Sequence, residues 1–182
     1  SDVASRNPDL TEDFCTLHFG TYYLNGNRDW CLIWSYIVQR VDFRGKRLVD
    51  IGCAMGCAGV FALLEGAKSV LSLESDPTLL KAAGHLSAAL GLTHHDFSTF
   101  DWPDFATGNE VLPKADIVSA LSARFDQLPR WRVMGYLGSY PEILWQTSRP
   151  DEARRLLEER GYKVESLVET YMGRFLLYAV SR

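Results

Sequence analysis

Three carboxylates and two glycines fall at spacings that suit a bound nucleoside. Asp50 is followed by Gly52 and Gly56, with Cys53, Ala54 and Met55 between the two glycines. Glycine at both places lets the backbone turn without a Cβ clash and lets a ligand or a helix come close. A strand–glycine–helix pattern also occurs as a simple tight turn. The acids give it chemical meaning. Glu74, with Ser75 beside it, stands where a second strand should end, and a carboxylate there can accept both hydroxyl hydrogens of a ribose. Asp96 is expected after a third strand, within reach of an adenine amino group, with Phe97 as an apolar wall. Strand ends in a parallel sheet line one crevice, so these residues should converge there.

The elements that must position them follow from apolar periodicity. Residues 30–41 read as an amphipathic helix with Trp30, Ile33, Trp34, Ile37 and Val41 on one face. Residues 47–52 form a first buried strand, and 57–65 a helix closed by Gly66. A second strand covers 68–74, and a helix covers 77–90, with Pro77 in its first turn and Gly91 after its end. The stretch 91–97 is a short, weak strand, followed by a loop over 98–114. Residues 115–121 form a strand, and a helix interrupted after Pro129 is expected within 124–138. A strand over 142–147 and a helix over 151–160, begun after Pro150, precede two final strands, 162–169 and 174–181.

Alternating strands and helices imply a parallel sheet with helices on both faces. The two final strands, separated by a tight turn at Met172 and Gly173, can only be an antiparallel hairpin. A nicotinamide-binding oxidoreductase would keep alternating to its end, and the hairpin disfavours it. The expected fold is α/β: a Rossmann-like three-layer sandwich around a seven-stranded, mostly parallel sheet ending in an antiparallel hairpin. Residues 1–45 are expected to form an N-terminal lid segment and helix, and 46–182 a single catalytic domain.

The run 46–90 resembles the cofactor-binding half of class I S-adenosylmethionine-dependent methyltransferases. The matching residues are VDIGCAMG (49–56), GVFALLEGA (59–67) and VLSLESDP (70–77), and the closing hairpin is similar to that family's last strands. The resemblance implies S-adenosylmethionine as cofactor and S-adenosylhomocysteine as product. It implies that Asp50, Gly52, Cys53, Ala54 and Gly56 hold the amino-acid part, Glu74 and Ser75 the ribose, and Asp96 and Phe97 the adenine, with Leu121 following the fourth strand. The family pattern often has glycine where this chain has Ala54, and a small hydroxyl residue where it has Met55. The methyl of Ala54 narrows the loop.

The acceptor side is less defined. After the fourth strand the chain reads Ser119-Ala120-Leu121-Ser122-Ala123-Arg124-Phe125-Asp126. It lacks the Asn/Asp-Pro-Pro-Tyr/Phe signature associated with methylation of exocyclic base amines. A loosely similar Leu-Ser stretch occurs in family members that act on small molecules and in some that act on RNA ends, and a small-molecule acceptor is the leading expectation. RNA, a protein side chain, or cofactor binding without transfer are the alternatives. Candidate catalytic residues are His18, Tyr22, His94 and Asp126. His94 and His95 can equally be surface residues of the third strand. In the aromatic segment 18–30, Tyr22 can cover a sulfonium by cation–π contact and Arg28 can pair with a carboxylate, or the segment can be a packed strand and turn. The cations and aromatics of 124–132 can recognise an anion or a stacked base, or form a solvated helix face around Trp131.

Composition narrows the remaining choices. A chain of 182 residues with 47% hydrophobic and 23% charged residues suits one soluble domain. The net charge of −4, without a long basic stretch, speaks against tight non-specific nucleic-acid binding. No apolar run reaches membrane-spanning length, and the first residues lack the character of a signal peptide. Cys15, Cys31, Cys53 and Cys57 have no neighbouring ligands to complete a tetrahedral set, so no metal is expected and the thiols read as reduced and intracellular, in a cytoplasmic protein. With no separate substrate domain, a lid, a large acceptor or a second subunit in a homo-oligomer must close the site.

Overall fold

The computed structural model describes residues 15–19, 22–24, 28–100, 113–123, 125, 128–170 and 173–182. Strands β1 (Cys15–Phe19), β2 (Tyr22–Leu24) and β3 (Arg28–Asp29) form a small separate sheet. Helix α1 (Trp30–Ile37) starts at Asp29, whose side chain accepts from the Leu32 amide at 2.9 Å. Its apolar stripe turns inward, and Trp34 stacks on Phe43 and Phe61. The helix ends four residues before the expected position 41, where the Arg40 amide tightens onto the Ile37 carbonyl three residues back. Val41 nevertheless stays buried.

From there strands and helices alternate as the periodicity requires: β4 (Arg47–Ile51), α2 (Cys57–Leu64), β5 (Ser69–Glu74), α3 (Pro77–Ala89), β6 (His95–Thr99), β7 (Ile117–Ala120), α4 (Arg130–Leu137), β8 (Glu142–Thr147) and α5 (Pro150–Glu158). Asp76 caps α3 ahead of Pro77. Asp151 and Glu152 sit in the first turn of α5 and Arg155 in its last, complementing the helix dipole. The chain closes with the antiparallel pair β9 (Tyr162–Thr170) and β10 (Arg174–Ser181).

These strands form one seven-stranded sheet in the order β6-β5-β4-β7-β8-β10-β9, parallel except around β10. On one face Leu48, Val70, Ile117 and Leu144 pack against α1 and α2. On the other Val49, Ile51, Val118 and Ile143 pack against α4 and α5. The two cores make the three layers of the expected sandwich.

One strand is displaced. The third strand of the main sheet begins at His95, not at Gly91. Gly91 adopts φ +68° and the Leu92 amide returns to the Ser87 carbonyl, so these residues cap α3 and cannot extend into a ladder.

Candidate cofactor site

The parallel register builds a buried polar row across the centre of the sheet. Asp50 lies beside Ser72 of β5 and beside Ser119 of β7, and all three are buried. The Ser119 hydroxyl donates to Asp50 Oδ1 at 2.6 Å. Asp50 Oδ2 is buried with no hydrogen-bond partner among the described residues. Burial, reinforced by the nearby Glu74 carboxylate and opposed by the Ser119 hydroxyl, pushes Asp50 up to about 7. A buried acid with one open oxygen is a site for a cationic group.

The glycine loop turns directly above this row. The amides of Gly52 and Cys53 both donate to the Leu73 carbonyl, at 2.8 and 3.0 Å. Gly52 and Gly56 adopt φ +66° and +74°. A Cβ on Gly52 would lie 3.0 Å from the Ala123 Cβ, and one on Gly56 would lie 2.9 Å from the Ala83 Cβ. Ala54, at φ +50°, is the one non-glycine residue in the left-handed region among the described residues. That conformation costs an L-residue about 1–2 kcal/mol. It aims the Ala54 amide at Glu74 Oε2, at 2.8 Å.

Glu74 is thereby locked to the loop it faces. Its Oε1 accepts from the amides of Ser75 and Asp76 and from the Ser75 hydroxyl. Oε2 accepts only from Ala54 among the described residues, so one of its lone-pair sites is open to a hydroxyl. Gly52, Gly56, Asp50 and Glu74 therefore meet at the strand ends, as their spacing predicts. Cys53 is buried within the loop, its thiol raised by burial and by the two carboxylates. Cys57 is buried as well, and no group of three metal-ligating side chains occurs among the described residues. Ser75 is exposed at the strand end, and Leu121 is buried after β7.

Asp96 and Phe97 do not lie at a strand end. Asp96 pairs with Leu71, three residues before Glu74. At about 3.3 Å per residue this is about 10 Å below the crevice. The displaced start of β6 is the reason. Thr99 is the residue that pairs with Glu74, followed by Phe100 and then, outside the described residues, Asp101. His94 sits exposed at the opposite edge of the sheet, where its carbonyl accepts from Val70 as the ladder begins. It is not near the site expected of a base.

His95 is buried between two hydroxyls, with Ser72 Oγ 2.8 Å from Nε2 and Ser87 Oγ 3.1 Å from Nδ1. Burial brings it down to about 4, so it is neutral and structural. His18, Tyr22 and Arg28 lie on β1, β2 and β3, but their side chains lie outside the described residues, as does Asp126 entirely. Ser119, Ser72 and the β10 residue Arg174 were not foreseen as parts of the site. For Ser72 and Ser119 the available signal was a polar residue inside an otherwise apolar strand; for Arg174 the sequence carried none.

No family model matches the chain. It is similar to a ribosomal protein L11 methyltransferase from Psychrobacter sp. (strain PRwf-1), with 36% identity over 111 residues covering 57% of this chain and 33% of that protein. A ribosomal protein L11 methyltransferase from Psychrobacter cryohalolentis is 30% identical over 122 residues, covering 65% of this chain and 38% of the relative. The chain thus spans about a third of the length of these relatives. Its fold resembles the magnesium protoporphyrin IX methyltransferase from Synechocystis PCC 6803, crystallised with SAH (TM-score 0.65, 14% identity, 84% of this chain and 81% of that one). It also resembles the ribosomal protein L11 methylase from Lactobacillus delbrueckii subsp. bulgaricus (TM-score 0.60, 19% identity, 83% and 77%). With the sheet order and closing hairpin, these likenesses show that the chain has the class I S-adenosylmethionine-dependent methyltransferase fold.

Proposed function

We propose that this chain is an S-adenosylmethionine-dependent methyltransferase whose acceptor is a protein. The observation that carries the reading is Asp50, a buried carboxylate with an open oxygen beneath a left-handed glycine loop, one strand from Glu74. These residues fit the cofactor on chemical grounds. An ionised Asp50 suits the ammonium of an amino-acid moiety. The open lone pair of Glu74 suits a ribose hydroxyl, and the glycines leave room for backbone contact.

When bound, S-adenosylmethionine supplies an electrophilic methyl group. The chain's own contribution is then to hold and orient. Ser119 fixes the Asp50 carboxyl through Oδ1 and leaves Oδ2 to the ligand. Ala54 and the amides of Ser75 and Asp76 fix Glu74.

The acceptor reading departs from the small molecule that leads the sequence-based expectations. Similarity to proteins named for methylating ribosomal protein L11 supports a protein acceptor instead. Calorimetry with S-adenosylhomocysteine tests the cofactor. The wild type should bind it, and Glu74→Ala and Asp50→Ala should not. No binding by the wild type would refute the whole reading. Labelled methyl transfer to purified ribosomal protein L11, with total RNA and small amines offered in parallel, tests the acceptor. Label in RNA or a small amine, and none in protein, would leave the enzyme reading standing and remove the protein acceptor.

A further inference from the structure

The closing hairpin reaches the cofactor site through one side chain. Arg174 opens β10, directly after Gly173, whose φ of +65° turns the chain at the hairpin. Because β10 runs antiparallel to β8 and Phe175 pairs with Thr147, Arg174 stands at the edge where the parallel strands end. Its Nη2 donates to the Gln146 carbonyl at 2.9 Å and to the Ala123 carbonyl at 3.3 Å. The β7–β8 ladder has ended at Ala120 and Trp145, so both carbonyls lie past its last pair. The base of Arg174 is held too. Its own carbonyl accepts from the Thr170 hydroxyl at 2.9 Å, and the buried Gln146 amide donates to that same Thr170 oxygen.

Ala123 is the other end of this chain of contacts. Its Cα and N lie 3.1 and 3.3 Å from where a Gly52 Cβ would be, so its backbone rests on the glycine turn. Ala123 has no side-chain polar group with which to hold itself there. A displaced Ala123 would remove the packing on the outer side of the Gly52 turn, whose amides bond to Leu73, and loosen the loop that presents Ala54 to Glu74.

We propose that Arg174 is a positioning residue of the cofactor site, pinning the loop after β7 to the closing hairpin and thereby holding Ala123 against Gly52. This rests on the methyltransferase reading, because the loop it steadies is the proposed cofactor loop. Loss of both carbonyl contacts should loosen the loop and weaken ligand binding on the order of tenfold.

The test is S-adenosylhomocysteine calorimetry together with amide hydrogen exchange on the wild type, Arg174→Ala and Arg174→Lys. Arg174→Ala should lose on the order of tenfold in affinity and exchange faster at Ala123 and Gly52. Added guanidinium ion should restore part of that affinity and leave the wild type unchanged, a rescue that general destabilisation would not show. Arg174→Lys keeps the charge without the two-way reach and should show the same changes in smaller degree. It carries the comparison if the alanine variant does not fold. Both variants binding within twofold of the wild type, with unchanged exchange at Ala123, would overturn the proposal. A wild type that binds no S-adenosylhomocysteine would overturn the cofactor reading instead, and exchange at Ala123 would still show whether Arg174 holds the loop.

Discussion

The Ser119 hydroxyl donates to Asp50 Oδ1 at 2.6 Å across two adjacent parallel strands, which leaves the other carboxylate oxygen buried and open. One oxygen is fixed, so the acid cannot turn away. The other has no hydrogen-bond partner among the described residues. The site therefore keeps a charge-accepting position at a cost to the folded state.

That cost depends on pH. Burial raises the Asp50 carboxyl to about 7, well above its ordinary 3.8. Between these values the folded state holds the extra proton, so this group's contribution to stability is complete at low pH, falls as pH rises and levels off above about 7. Asp50→Asn should remove the fall and be more stable than the wild type at pH 8, by about 1–3 kcal/mol. Urea unfolding at pH 5 and pH 8 checks this. S-adenosylhomocysteine, whose ammonium favours ionised Asp50, should bind the wild type with release of a proton and lose affinity as pH falls below about 7. Calorimetry in buffers of different ionisation enthalpy measures that proton.

His95 acts in the opposite sense. Burial brings it down to about 4 from its ordinary 6.5, so the folded state holds fewer protons between them. Its contribution is complete above about 6.5 and is lost as pH falls toward about 4. His95→Gln should flatten this acid limb of the stability curve. An unchanged acid limb would mean that the Ser72–His95–Ser87 cluster is not what titrates.

Gly59 is fitted to the same histidine. A Cβ there would lie 2.5 Å from His95 Nε2 and 2.9 Å from Val70 Cγ1. Gly59→Ala should destabilise by about 1–3 kcal/mol through overpacking, although alanine is the better helix former. Thermal unfolding gives the sign directly.

Ala54 stands at φ +50°. Ala54→Gly relieves a strain of about 1–2 kcal/mol and gives back part of it as chain entropy, so a net gain of about 0.5–1 kcal/mol is expected. A β-branched residue is worse there, and Ala54→Val should destabilise and weaken S-adenosylhomocysteine binding by displacing the amide that holds Glu74. Denaturant midpoints and calorimetry on the two variants check both effects.

The displaced third strand sets Asp96 away from the strand end. Asp96→Ala should leave S-adenosylhomocysteine affinity within about twofold, since Asp96 lies about 10 Å below the crevice at about 3.3 Å per residue. A loss of about tenfold or more in Asp96→Ala would return the adenine-side role to Asp96.

Much of this protein is legible in one dimension because its signals are local. Buried parallel strands read as apolar runs, Pro77 and Pro150 start helices, and Gly52 and Gly56 mark the turn over β4. The closing hairpin needs only two strands and a short turn, and it sets the fold apart from dinucleotide-binding sheets. Asp50 and Glu74 follow because each ends a strand that the pattern delimits well. The third strand is weak in pattern, and its start is decided by how α3 caps itself through Ser87 and Leu92, a contact that no periodicity carries. Tertiary structure alone decides what stands beside what. Register sets Ser72, Asp50 and Ser119 in one row, and a distant hairpin brings Arg174 to Ala123. Residues far apart in sequence become neighbours through the pairing of whole strands, so their contacts leave no mark on the spacing of either.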